Sequence, residues 1–297
     1  MVYIFKILEI CEPGVLPRTI SRLLYADSRH SGERNGWITM ELQGRVAVIT
    51  GGTRGIGRAI AEGFLADGAS VVINGRSAEK GAQALKEMNG GDRVHFVQGD
   101  VKSREGCQAI IDAAIAKYGK IDIMVNNAGG ATGHAPVIDL EDWAMEDSLK
   151  WNFWSTFWCT QMVLRDMVPR GWGRIINVSS LEGKHGKPGV SIYVTAKHAI
   201  NGFTKSCAQE IGTTGVTINC ICPGAIETDI MRDEGPAAAA SMGLTYQGLL
   251  DWFASEAAIK RLNTCDEVAA VASLLASEAG AGITGSMISV DGGTAAY

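Results

Sequence analysis

Long apolar runs are missing from this sequence. No stretch of its 297 residues approaches the length that crosses a bilayer. Runs of Lys and Arg are missing too, and the formal net charge is -5. Nothing here offers an electrostatic grip on nucleic acid. Seven cysteines occur, at 11, 107, 159, 207, 220, 222 and 265, but none forms a C-x-x-C pair or a Cys/His cluster with zinc spacing. No metal site is expected. Scattered thiols in apolar surroundings read as free cysteines of a reducing compartment, which points to the cytoplasm. Fixed-period repeats, low-complexity tracts and linker-like breaks are absent, so one domain is expected. What is there is an ordinary globular composition, 46% hydrophobic and 20% charged, in a chain long enough to bury a core.

The first residues, "MVYIFKILEICEPGVLPRTI", have the outline of a targeting sequence. Lys6 and Glu9 break the apolar part, and a basic start and a small-residue cleavage site are lacking. Residues 1–39 then pass Pro13, Pro17, Gly32 and Gly36 without sustained periodicity. They read as a poorly ordered extension, or alternatively as a small arm for a partner or a second subunit. Met40 is a candidate start, and 40–297 is the expected folded domain.

From residue 45 the pattern is regular. Short apolar runs at 46–50, 70–74, 94–98, 121–125, 174–178, 216–221 and 287–290 alternate with helical spacing at 56–67, 78–88, 103–118, 139–168, 191–213 and 266–277. β-Branched runs that are apolar on both faces, separated by amphipathic helices, mean parallel strands covered on both sides. The expected fold class is α/β: a single-domain, Rossmann-like, doubly wound parallel sheet.

Thr50-Gly-Gly-Thr-Arg-Gly-Ile-Gly57 joins the first strand to the first helix. Gly51, Gly55 and Gly57 permit a tight turn and a close approach to a pyrophosphate at the helix N-terminus, where free N–H groups favour negative charge. Thr53 and Ile56 lie in the same loop. The spacing is G-x-x-x-G-x-G rather than G-x-G-x-x-G, and an ordinary tight turn would also use these residues. Placement after the first strand of a parallel sheet favours a dinucleotide. An acid ending the second strand would select NAD through the adenosine ribose. The second strand instead ends Asn74-Gly75-Arg76-Ser77. Arg76 and Arg54 together suit a 2′-phosphate through their planar forks, unless both are plain surface arginines. NADP(H) is therefore expected ahead of NAD(H).

The chain resembles the short-chain dehydrogenase/reductase family over roughly residues 42 to 297. The motifs stand in order: "TGGTRGIG" at 50–57, "GDV" at 99–101, "NNAG" at 126–129, Asn152, "NVSS" at 177–180, "YVTAK" at 193–197 and "CPGAIETD" at 222–229. The resemblance implies that Tyr193 exchanges a proton with the substrate oxygen and that Ser180 holds and polarises that oxygen. It implies that Lys197 bonds the nicotinamide ribose and that Asn152 keeps a water on the proton route. A free phenol ionises near about 10, too high for a base at neutral pH. Lys197 lies one helical turn beyond Tyr193, on the same face, where a cation would make the phenol more acidic. Ser179 reads as a structural neighbour of Ser180. Asp100 and Val101 resemble the pair flanking the adenine. Asn126, Asn127, Ala128 and Gly129 resemble the segment along the adenosine ribose and central sheet. Pro223, Gly224, Ile226 and Thr228 fall where the family closes over the nicotinamide. NNAG and PG are also plain turn formers. One departure is the interval from Trp143 to Asn152, about two residues longer than the family pattern.

"WNFWSTFWCT" at 151–160 places Trp151, Trp154 and Trp158 on one helical stripe and Phe153 and Phe157 on another. An aromatic substrate box is one reading. The preferred reading is a helix between the core and a neighbouring subunit, since the resemblance implies homodimers or homotetramers. Residues 225–258 resemble the family's substrate lid, with Gly235 and Gly243 as hinges and an apolar lining that suits a partly hydrophobic substrate. Arg232, Lys184, His185 and Lys187 are the cations at hand for a carboxylate or an acyl-carrier phosphate, although a solvated loop is the preferred reading of each. The segment around Tyr193 is similar to fatty-acid and polyketide ketoreductases and to hydroxybutyrate dehydrogenases. The expected activity is an NADP(H)-dependent interconversion of a small-molecule ketone and secondary alcohol, on a β-ketoacyl compound or a cyclic ketone. Two alternatives stay open. One is an NAD(P)-dependent dehydrogenase of a hydroxy acid, sugar acid or alicyclic alcohol. The other is a catalytically idle module that senses cofactor redox state.

Overall fold

A computed structural model describes residues 41–295. The readings of 1–39 as an extension or arm lie outside the described residues. Strands β1 (Val46–Ile49), β2 (Ser70–Gly75), β3 (Val94–Gln98), β4 (Ile123–Asn126), β5 (Gly173–Val178), β6 (Val216–Pro223) and β7 (Met287–Val290) form one parallel sheet in the order β3-β2-β1-β4-β5-β6-β7. The doubly wound α/β expectation holds. β1, β4, β5 and β6 are buried at every position, so their sequences are mostly apolar, and the polar side chains they carry, Arg174, Asn177, Thr217 and Asn219 among them, are buried as well.

Side chains alternate between two cores. Ala47 and Ile49 of β1 point to one face, where α1 (Gly55–Ala66) and α9 (Cys265–Ala276) contribute Ile60, Phe64, Val268 and Leu275. Val48 points to the other, among Ile110 of α3 (Arg104–Tyr118), Val163 and Met167 of α5 (Ser155–Arg170) and Ile211 of α6 (Ser191–Ile211). α2 (Ala78–Met88) covers β2 and β3. The order reverses between β1 and β4. The connections that leave their carboxyl ends therefore run to opposite faces of the sheet and leave the crevice in which such sheets bind ligands.

Three sequence readings need correction. The run at 121–125 enters the sheet only at Ile123, because Asp122 is a buried clasp. Its carboxylate accepts from Val46 N at 3.0 Å and pairs with Lys120 at 2.7 Å and Arg170 at 2.8 Å. The stretch 139–168 is not one regular helix. It divides into α4 (Asp142–Leu149), a π-helical turn over Lys150–Trp154, and α5. A π turn takes more chain per revolution, which accommodates the longer Trp143-to-Asn152 interval. In the 225–258 segment, α7 (Asp229–Ser241) and α8 (Tyr246–Glu256) are joined through Gly243, which has a φ of 71°. Gly235 is no hinge. It is buried inside α7, and a Cβ there would sit 2.6 Å from the Tyr246 ring. Among the described residues no helix is long and apolar enough to cross a membrane.

Candidate active site

A cavity of about 1000 Å³ opens at the carboxyl ends of β1, β4, β5 and β6. Its floor near β1 is the glycine loop. Gly51 (φ 64°) and Gly55 (φ 56°) occupy the left-handed region, which a residue with a Cβ enters only with strain. Gly57 is needed for space: a Cβ would lie 2.4 Å from Asn127 Nδ2 and 2.5 Å from Gly51 O. Asn127 clamps the loop by donating from Nδ2 to Thr50 O at 2.9 Å and Gly51 O at 3.2 Å. Thr50 Oγ1 returns the link, accepting from Asn127 N and Ala128 N at 3.0 Å each. The first turn of α1 carries no acid, and its N–H groups face the cavity. This cradle fits a pyrophosphate.

The cavity wall includes Gly51, Thr53, Arg54, Gly55, Ile56, Arg76, Asp100, Val101, Asn127, Ala128, Gly129, Pro223, Gly224, Ile226 and Thr228. Gly57 supports the loop from behind. Asn126 does not line the cavity. It is buried in β4, where Nδ2 donates to Asn177 Oδ1 at 2.8 Å and Thr160 Oγ1 at 3.1 Å. The two arginines both reach the wall but have separate partners. Arg54 pairs with Asp233 of α7 at 3.0 Å, and Arg76 stacks 5.7 Å from the Trp151 ring centroid.

Past the cradle stand Ser180, Tyr193 and Lys197, all on the same cavity. β5 delivers Ser180 just beyond its end, and α6 delivers Tyr193 and Lys197 from its first two turns. The lysine is 4% exposed, its Nζ donates to Val178 O at 3.0 Å, and it lies 5.5 Å from the Tyr193 ring centroid. Burial lowers its pKa from 10.5 to about 8, partly opposed by Cys220, Cys222 and Glu182. Burial raises the Tyr193 phenol well above its ordinary value, and the charge of Glu182 adds to the rise; Ser180 pulls the other way. The expected acidifying effect of Lys197 on the phenol does not appear: its ammonium serves Val178 O, and the charge that acts on the phenol is the Glu182 carboxylate.

Glu182 is the main residue missed in the sequence. Ser180 caps a short 3₁₀ turn, Leu181–Gly183, and its hydroxyl donates to the Glu182 carboxylate while accepting from Glu182 N at 3.2 Å. Its S-x-E spacing is not the S-x-x-E of a capping box, so the sequence carried no signal for it. Ser179 has the structural part assigned to it, donating to Lys197 O at 3.3 Å.

Asn152 is 1% exposed and does not line the cavity. Its Nδ2 donates to Gly130 O and Ser148 O at 2.9 Å each, and its Oδ1 accepts from Gly130 N at 3.2 Å. It pins the loop after β4 behind Lys197. A Cβ on Gly129 would meet both Asn152 Oδ1, at 2.5 Å, and Lys197 Nζ, at 3.4 Å. Trp151 lines the cavity, whereas Trp154 is 41% exposed and stacks on Trp158 at 5.7 Å. Phe153 and Phe157 meet Phe203 of α6 at 6.0 and 5.6 Å. The stripe thus divides between a cavity wall and a surface aromatic cluster. Of the four nearby cations only Lys187 reaches the cavity. Arg232 pairs with Glu227 and Asp229 at 3.6 Å each, and Lys184 donates to Ser289 at 2.8 Å.

Known proteins resemble this chain in sequence and in fold. The model of the short chain dehydrogenase family matches residues 45–239. A 3beta-hydroxysteroid dehydrogenase of Mediterraneibacter gnavus is 34% identical over 273 residues, 88% of this chain and 99% of that protein. The 3-oxoacyl-(acyl-carrier-protein) reductase FabG of Aquifex aeolicus is 36% identical over 257 residues, 86% of this chain and 98% of its own. Among solved structures, a variant of the actinorhodin polyketide ketoreductase with NADPH superposes with a TM-score of 0.82 at 31% identity, covering 88% of this chain and 100% of that one. With the family model spanning most of the folded region and full-length relatives above 30% identity, the chain belongs to the short-chain dehydrogenase/reductase family of oxidoreductases.

Proposed function

We propose that this protein is an NADP(H)-dependent oxidoreductase that interconverts a ketone and a secondary alcohol. The observation that carries the reading is the convergence of Ser180, Tyr193 and Lys197 on the cavity whose other end is the glycine cradle. In reduction the phenol of Tyr193 gives its proton to the carbonyl oxygen, which Ser180 holds in place. Lys197 stands behind Tyr193 and is held by Val178 O, ready to turn toward the phenolate that forms. The bound dinucleotide supplies or accepts the hydride. Burial and Glu182 keep the phenol protonated at neutral pH, the form that gives a proton to the carbonyl oxygen.

NADP(H) is supported by the absence of an acid after β2 and by Arg54 and Arg76 in the cavity wall. The relatives named above support a ketoacyl or cyclic ketone as substrate. Lys187 is the cavity-lining cation that favours the second reading, a dehydrogenase of a hydroxy acid or sugar acid. The intact side-chain trio speaks against an idle sensor. Buried thiols at Cys107, Cys159, Cys207, Cys220 and Cys222 support a cytoplasmic setting, and the exposed aromatic cluster of α5 and α6 supports a homodimer or homotetramer. The test is a ketone panel followed by nicotinamide absorbance with each cofactor. Turnover with kcat/KM at least about tenfold higher for NADPH is expected, equivalent to about 1.4 kcal/mol. A preference for NADH removes the cofactor assignment, and no turnover of any ketone or alcohol removes the activity.

A further inference from the structure

Glu182 has no part in the family chemistry derived above, yet its carboxylate is one hydrogen bond from Ser180, the residue that holds the reacting oxygen. It lines the same cavity and is partly buried. Among the described residues no basic nitrogen lies within 4.0 Å of it. The two lysines of its loop have other partners: Lys184 bonds Ser289, and Lys187 lies 3.8 Å from Glu256 and between the Trp252 and Phe253 rings at 4.8 and 4.9 Å. The carboxylate thus has the Ser180 hydroxyl as its side-chain partner and no cation beside it, which leaves acceptor capacity facing the cavity.

A second consequence follows from proton count. A serine hydroxyl has one hydrogen. While Ser180 gives it to Glu182, that hydrogen does not reach a substrate carbonyl. A donor on the substrate that takes over the carboxylate frees the serine hydrogen for the reacting oxygen. The carboxylate and that oxygen are both neighbours of Ser180 Oγ, so a hydroxyl on the carbon next to the carbonyl comes within reach of the carboxylate while the carbonyl is held. An anionic group in that position would be repelled by Glu182.

We infer that Glu182 is a specificity-determining residue that accepts a hydrogen bond from a hydroxyl on the carbon adjacent to the reacting one, so that the preferred substrate is an α-hydroxy ketone or, in reverse, a vicinal diol. This rests on the ketone/alcohol activity proposed above and names its substrate class. The hydroxyl is bound and released unchanged; the redox step remains hydride and proton transfer at the carbonyl.

The experiment compares kcat/KM with NADPH for 2-hydroxycyclohexanone against cyclohexanone, and acetoin against butanone, in the wild type, E182Q and E182V. The hydroxyl also alters the intrinsic reactivity of the carbonyl, so the quantity read is the wild-type preference divided by the variant preference. A hydrogen bond to a charged acceptor predicts that this quotient is about 10–100 for E182V and smaller for E182Q, in both KM and kcat. NADPH binding, followed by fluorescence, reports whether each variant is folded; should E182V bind none, E182Q carries the test. A quotient near one in a folded variant, or a wild type that reduces only the unsubstituted ketones, overturns the inference and leaves the ketone activity standing. A wild type that binds NADPH and reduces none of the four ketones but turns over another member of the ketone panel overturns the inference alone; no turnover of any ketone or alcohol overturns both.

Discussion

Replacing Lys197 by Met should stabilise the cofactor-free protein at neutral pH while abolishing its turnover. The lysine is 4% exposed, and among the described residues its ammonium donates to Val178 O alone, at 3.0 Å. Its pKa falls from 10.5 to about 8 because burial disfavours the charged form. That lowering corresponds to about 3 kcal/mol of destabilisation at pH 7. Methionine matches the length of the side chain but leaves Val178 O without this donor, a loss of about 1–2 kcal/mol. The net gain is about 1–2 kcal/mol, or a rise in Tm of about 2–6 °C for a domain of this size. The sign reverses with pH in a defined window. Between about 8 and 10.5 the unfolded chain keeps the lysine proton that the folded one has lost, so wild-type stability rises relative to the variant. Cys220, whose pKa burial raises to about 12, is common to both proteins and largely cancels in the difference. The assay is urea unfolding of both cofactor-free proteins at pH 7, 8, 9 and 10, with turnover measured at pH 7. Activity should fall about 100-fold or more. A variant less stable than wild type at pH 7, or a stability gap that stays constant to pH 10, refutes this account of the buried ammonium.

Other substitutions probe separate parts of the structure. Tyr193→Phe removes the proton donor and should lower kcat by about 10²–10⁴ with cofactor affinity retained; an unchanged rate excludes the phenol from the chemistry. In Gly57→Ala the new Cβ would meet Asn127 Nδ2 at 2.4 Å and Gly51 O at 2.5 Å, so the loop must move. Dinucleotide Kd should rise more than about tenfold, and stability fall by about 1–3 kcal/mol, by fluorescence titration and denaturant unfolding. Unaltered affinity would mean that the cradle does not hold the pyrophosphate. Thr264→Ala breaks the capping box with Glu267 at the start of α9 and should cost about 1 kcal/mol in unfolding free energy without changing KM.

Much of this protein was determined by local sequence. Short apolar strands alternating with helices set the doubly wound class, because a parallel strand covered on both faces is apolar along most of its length. The glycines of the first loop were legible because a left-handed φ at Gly51 and Gly55 is a backbone demand that few other residues meet. Tyr193 and Lys197 share a face by helical spacing alone. Tertiary structure decided where these groups aim. Lys197 turns to Val178 O because a buried ammonium takes the nearest carbonyl. Arg54 meets Asp233 across 179 positions of chain, and Asn152 ties back to Gly130 through a π turn that no periodicity announces. Glu182 looked like an ordinary polar loop residue. Only the fold places its charge beside both Ser180 and Tyr193, and an electrostatic influence depends on distance in space rather than separation along the chain.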